Sequence, residues 1–137
     1  MPRIPFNSSL VGVAVVTAYL PSHSRPDDGQ YTFAYTVTIS NGSNLPVQLL
    51  SRHWIITDAD NEVQEVRGEG VVGEQPVIPP QASFRYTSGA TLTTPVGCME
   101  GRYFMVVREP MDVDPGDLPT FEVPIRAFSL HTPTALH

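Results

Sequence analysis

Three clusters in this chain hold residue types that could do chemistry. The first, Gly68-Glu69-Gly70-Val71-Val72-Gly73, matches G-x-G-x-x-G. Glycine amides can approach a phosphate closely, and in a dinucleotide fold the pyrophosphate meets the helix that follows. Pro76, Pro79 and Pro80 follow here and forbid that helix. Where a ribose-binding carboxylate is expected, about 20 residues on, the chain has Phe84 and Arg85. Dinucleotide binding in the Rossmann manner is therefore rejected. A weaker phosphate or nucleotide site remains, in which the amides of Gly68, Gly70 and Gly73 form an anion nest beside Arg67. Glu69 and Glu74 oppose it by repulsion. The architectural reading gives the glycines to a bulge or a left-handed loop.

The second cluster is Asp58, Asp60 and Glu62, oxygen donors at alternate positions that could hold a divalent cation weakly. The full EF-hand pattern is not present, and Asp58-Ala59-Asp60-Asn61 also reads as a solvated β-turn. The third is Arg52 and His53, which flank the only Trp, Trp54. They could meet an anion or a metal on a sheet surface. Alternatively they face solvent or pair with Glu62 or Glu65 across a hairpin. A lone His lacks the partner ligands a metal needs. Cys98 has no neighbouring His, and no Ser-His-Asp or Cys-His grouping can be assembled. The expectation is a protein that is not an enzyme and needs no cofactor.

The elements that must position these clusters read as strands. Val11, Val13, Val15, Thr17 and Tyr19 share one face of a period-two run. PSHSRPDDGQ is a loop. Tyr31, Phe33, Tyr35, Val37 and Ile39 alternate with smaller residues, and Asn41-Gly42-Ser43-Asn44 then turns the chain in the manner of a hairpin. Residues 46–57 form the Trp54 strand, with Trp54 and Ile56 on one face and His53 and Ile55 on the other. Residues 62–67 return. Phe84 and Tyr86 mark a short strand, and residues 88–97 look turn-rich. Tyr103, Met105 and Val107 alternate. Residues 109–117 form a polar loop. Phe121, Val123 and Ile125 alternate around Pro124, which marks an edge or a bulge. Phe128 and Leu130 close the pattern.

About seven or eight short strands without a helical period predict an all-β fold, an antiparallel sandwich of the immunoglobulin or fibronectin type III kind, with Trp54 in its core. At 137 residues the chain reads as a single domain, with loose termini at 1–8 and 132–137. The net charge of −6 disfavours nucleic acid and anionic membranes as partners. Every basic residue is Arg, planar and suited to paired anion contacts. Cys98 is the only cysteine, which fits a cytoplasmic protein without disulfides. No secretory signal is expected, because Pro2, Pro5 and Asn7-Ser8-Ser9 interrupt the first apolar run. No run is long enough to span a membrane.

Arg52-His53-Trp54-Ile55-Ile56-Thr57-Asp58 and Val66-Arg67-Gly68-Glu69-Gly70-Val71-Val72-Gly73-Glu74-Gln75-Pro76 resemble the bacterial ApaG family. Tyr86-Thr87-Ser88-Gly89, Met99-Glu100-Gly101-Arg102-Tyr103 and Val123-Pro124-Ile125 continue the match, which runs from about Val11 to Leu130. The resemblance implies the same sandwich. It implies no catalytic residues. ApaG-like proteins have been linked to cobalt and magnesium resistance or efflux, and the bacterial gene tends to sit beside one for a diadenosine tetraphosphate hydrolase. Similar domains in F-box proteins and in a DNA polymerase delta-interacting protein look like protein-binding modules. The family's glycine motif, here Gly68, Gly70 and Gly73, has invited pyrophosphate-binding proposals. The leading expectation is a module that binds another protein, as a monomer or homodimer. The alternatives are a polyphosphate at the Gly68–Gly73 loop with Arg67 and, behind it, a divalent cation at the acidic turn.

Overall fold

Period-two alternation of β-branched and aromatic residues with small polar ones sets the strands. The computed structural model describes residues 6–134. Among them are eight strands in two antiparallel sheets. One sheet orders β1 (Val11–Tyr19), β2 (Tyr31–Asn41) and β6 (Ala82–Leu92). The other orders β4 (Val63–Glu69), β3 (Val47–Asp58), β7 (Val96–Val107) and β8 (Thr120–His131). The short β5 (Val77–Ile78) pairs with the start of β3. This is the all-β sandwich that the alternation predicts.

Three local expectations are corrected. The turn after Asn41 is not a hairpin, because β2 and β3 lie in different sheets. Asn41, only 1% exposed, ties that corner. Its Nδ2 donates to the carbonyls of Leu45, Ile78 and Pro79, and its Oδ1 accepts from the Ser43 amide and hydroxyl. Residues 88–92 are strand rather than turn, continuing β6 along β2 with Ser88 opposite Tyr35. At the amino end, Ser8–Leu10 form a short 3-10 turn, and Phe6 stacks on Phe121 with centroids 4.9 Å apart. Of the termini expected to be loose at 1–8 and 132–137, residues 1–5 and 135–137 lie outside the described part of the chain, while Thr132 is 6% exposed and its amide donates to the Pro95 carbonyl at 3.0 Å.

The core sits between the sheets around Trp54, which is 2% exposed. Its ring meets Tyr35, Phe128 and Tyr103 edge-on at 5.4, 5.9 and 6.3 Å, the arrangement that the ring quadrupole favours. Two register shifts decide what reaches this core. Leu49 faces Met105 and Ser51 faces Phe104, so Leu50 is an extra residue in β3. The inward set changes there from Val47 and Leu49 to Arg52, Trp54 and Ile56. In β8 the shift near Arg126-Ala127 does the same, from Val123 and Ile125 to Phe128 and Leu130.

The two long sides of the sandwich differ. On one, β1 packs against β8. On the other, the edge strands β4 and β6 stand apart with a cleft between them.

Candidate functional site

The cleft between β4 and β6 has a volume of about 600 Å³. Tyr35, Arg52, Trp54, Tyr86 and Met99 line its interior, and residues 71–73 lie at its mouth. Arg52 is the cation in this lining. The residue type reads as surface, but the Leu50 bulge turns it to Trp54's side of β3. Its Nη1 donates to the carbonyls of Glu69 at 3.1 Å and Gly70 at 2.7 Å. A Cβ on Gly68 would lie 2.8 Å from Cζ, Nη1 and Nη2 alike, so the guanidinium lies flat against that glycine's backbone. Among the described residues Arg52 has no carboxylate partner, and its Nε and Nη2 make no hydrogen bond.

Trp54, Tyr35 and Tyr86 add further donors to the cleft, which Gln64, Glu69, Ser88 and Thr91 line as well. Among the described residues the Trp54 Nε1–H is buried without a partner. Tyr35 is 7% exposed, and its hydroxyl makes no hydrogen bond among the described residues. The Tyr86 and Tyr103 hydroxyls bond each other across the two sheets. Burial pushes the Tyr86 phenol up to about 12, against a smaller opposing effect of the Tyr103 hydrogen bond. Burial raises Tyr103 as well. Both phenols therefore keep their protons at neutral pH. One of the two O–H groups serves the mutual bond, and the other remains to donate.

The glycine turn is a tight hairpin. Val71 and Glu74 exchange amide-to-carbonyl bonds of 2.8 and 2.9 Å, and the Gly70 amide donates to Leu50 at 2.8 Å. Gly70 has φ +63°, and a Cβ there would come within 2.2 Å of the Glu74 carbonyl oxygen, so only glycine fits. Val72 and Gly73 occupy the two central positions at φ 44° and 81°, the left-handed pair of a type I′ turn. Three amides of the loop are thus bonded within the fold. Val71 is buried at 1% exposure, whereas Val72 is 55% exposed. Arg67 does not reach this turn. It stands on the outer face of β4 beside His53, 70% exposed at its side chain and 4.0 Å from Glu65. Of the proposed phosphate set, the structure brings Gly68 and Gly70 together with Arg52 instead. The signal for Arg52 was its even spacing from Trp54 and Ile56.

His53 sits on the outer face, 3% exposed, with Nε2 2.9 Å from Glu65 Oε1. This is the cross-hairpin partner the spacing offered, though His53 is buried rather than solvent-facing. Asp58 Oδ1 accepts from the amides of Asp60 at 2.8 Å and Glu62 at 3.0 Å, closing the turn. Among the described residues no three His, Cys, Asp or Glu side chains converge as a metal site, at Asp58, Asp60 and Glu62 or elsewhere. The Cys98 thiol is pushed up by burial and then by Glu100, which keeps it protonated and a poor nucleophile. No helix among the described residues is long and apolar enough to cross a membrane.

Two antiparallel sheets around a single buried Trp place this molecule among the immunoglobulin-like β-sandwiches. The ApaG domain family matches residues 21–107, and the chain belongs to that family. It is 54% identical to Protein ApaG of Ralstonia nicotianae, over 91% of this chain and 94% of the relative. It is 52% identical to Protein ApaG of Methylococcus capsulatus over the full length of both. A Bordetella pertussis crystal structure bearing the ApaA name superposes with a TM-score of 0.82 at 47% identity, covering 91% of this chain and 95% of that one.

Proposed function

We propose that this protein is a non-catalytic binding module that takes hold of another protein at the cleft between β4 and β6. The observation that carries this reading is the open side of the sandwich. There two unpaired strand edges flank an interior of aromatic side chains. A free edge offers a row of amides and carbonyls to which an extended segment of a partner can add as a further strand. The aromatic interior supplies area that an incoming side chain can cover. The acidic net charge keeps nucleic acid off the surface, and a cytoplasmic setting fits the lone Cys98. A role in cobalt or magnesium resistance would act through such a partner, since the acidic turn spends its Asp58 carboxylate on its own backbone.

Capture from source lysate tests this, run with the wild-type chain and with Gln64→Arg plus Thr91→Arg, which crowd both rims of the cleft. The expected result is a set of proteins held by the wild type and lost by the double variant. The same proteins retained by the double variant would move the interface elsewhere. Polyphosphate binding is the alternative, and the amides of Val72 and Gly73 at the turn tip, unbonded among the described residues, favour it. Micromolar affinity for diadenosine tetraphosphate, about −8 kcal/mol, with shifts centred on Gly68–Gly73 and lost in Arg67→Ala, would put that reading first.

A further inference from the structure

Four side chains of the cleft, those of Arg52, Trp54, Tyr35 and Tyr86, can turn donors towards one ligand, while Gln64, Glu69, Ser88 and Thr91 line it as well. Arg52 has its guanidinium edge of Nε and Nη2 open, because Nη1 is taken by the Glu69 and Gly70 carbonyls. The Trp54 indole N–H is buried and unpartnered, and the Tyr35 hydroxyl is unbonded among the described residues. The Tyr86–Tyr103 pair has one O–H to spare. A buried donor left without a partner is costly, and the Trp54 indole N–H is one. The ligand that satisfies it together with the open edge of Arg52 accepts without donating. An ionised carboxylate does so, and its two oxygens match the Nε–Nη2 edge of a guanidinium.

The charges around the cleft limit that ligand to a small anion. Arg52 is the cation in the lining, while Glu69 lines the cleft and Glu74 closes the turn at its mouth. A polyphosphate would bring several charges against those two carboxylates, whereas a single carboxylate matches the single guanidinium. The tyrosines raise no competing charge, since both phenols stay protonated. Gly68 explains how the cation is held in place: only a residue without Cβ lets the guanidinium lie flat against the strand.

We propose that the cleft is a carboxylate receptor, in which Arg52, seated on Gly68, and the Trp54 and tyrosine donors grip an Asp or Glu side chain of an extended partner segment. The partner segment rests on the function proposed above; the carboxylate recognition does not. Trp54 is the only Trp, so its indole N–H gives one resonance inside the cleft and reports binding directly.

The test is an NMR titration of labelled full-length protein with four probes: acetate, acetamide, inorganic phosphate, and a blocked pentapeptide with a central Glu beside its Gln counterpart. Acetate should move the indole resonance saturably and acetamide should not, and the Glu peptide should bind more tightly than both acetate and its Gln counterpart. Arg52→Gln should weaken acetate and Glu-peptide binding by about tenfold or more, the scale of a lost hydrogen bond to a charged group. Gly68→Ala offers a milder variant, since the atoms its Cβ meets are the movable end of Arg52 rather than backbone. It should weaken binding similarly while leaving the rest of the amide spectrum in place. An indole resonance unmoved by acetate and by the Glu peptide would overturn the receptor, as would phosphate binding more tightly than acetate. If acetate binds at the indole but the Glu peptide binds no more tightly, the carboxylate receptor stands and the extended-segment partner falls.

Discussion

Trp54 and Val72 show how differently two apolar side chains serve this fold. Trp54 meets three aromatic rings and is almost wholly buried. Trp54→Ala should cost about 3–5 kcal/mol, the usual range for a truncated core aromatic. Chemical denaturation checks it, and near-wild-type stability would remove Trp54 from the centre of the core. Val72 is the reverse case: a β-branched residue held at φ 44° with half its surface exposed. The left-handed region is unfavourable for such a side chain by about 1–2 kcal/mol. Val72→Asn places the favoured Asn-Gly pair in a type I′ turn, so it should stabilise the protein by about 1 kcal/mol. A lower melting temperature in Val72→Asn would mean that Val72 makes contacts that outweigh its strain. Gly70 leaves no such room, because both its φ and the Glu74 carbonyl exclude a side chain.

At the scale of the element, alternation made β1, β2 and β7 legible, since one apolar face ran over enough residues to fix the period, and in β3 it held from Trp54 onwards but not across the extra residue at Leu50. It failed at residues 88–92, where Ser88, Gly89, Ala90 and Thr91 have turn-like types. Their small side chains leave open the cleft that larger strand residues would fill. It failed again after Asn41, because a sequence cannot show whether a turn returns to the same sheet or crosses to the other. For the site, the glycine motif pointed to the right place and to the wrong arginine. Arg67 adjoins the motif in sequence but projects from the opposite face, while Arg52 reaches it from the neighbouring strand. The acidic turn belongs to this scale too. Asp58 Oδ1 already holds two amides, so millimolar Mg²⁺ should leave the melting temperature unchanged, since a ligand of the native state must raise it. A saturable rise, abolished by Asp58→Asn with Asp60→Asn, would restore the cation reading.

Across the whole molecule, the Tyr86–Tyr103 bond links one sheet to the other. An unfolded phenol titrates at about 10, and Tyr86 is pushed up to about 12 in the fold. Between those values the unfolded chain has lost the proton and the native chain has kept it. The stability from this group is therefore full below about pH 10 and is lost as pH rises towards 12. Tyr103 shifts in the same direction and adds to the loss. The chain has no Lys, so few other side chains titrate in that window. Melting temperatures should hold up to about pH 10 and then fall, and Tyr86→Phe with Tyr103→Phe should flatten the fall. A profile equally steep in the double variant would assign alkaline unfolding to other groups.

The extra residue at Leu50 has a consequence for heredity. Lost with one codon, it would leave β3 a choice between exposing Trp54 while sinking His53 into the oil of the core, and dragging its whole ladder out of step with β7. Several codons removed from the 109–117 loop ask for no such exchange, because that loop joins β7 to β8 outside both ladders. The gravity of a deletion in this gene should thus follow its place in the ladders rather than its size: Leu50 deleted alone should yield insoluble protein, while a loop shortened beyond Val113, whose carbonyl with that of Met111 holds the buried Arg108, should still yield a folded one.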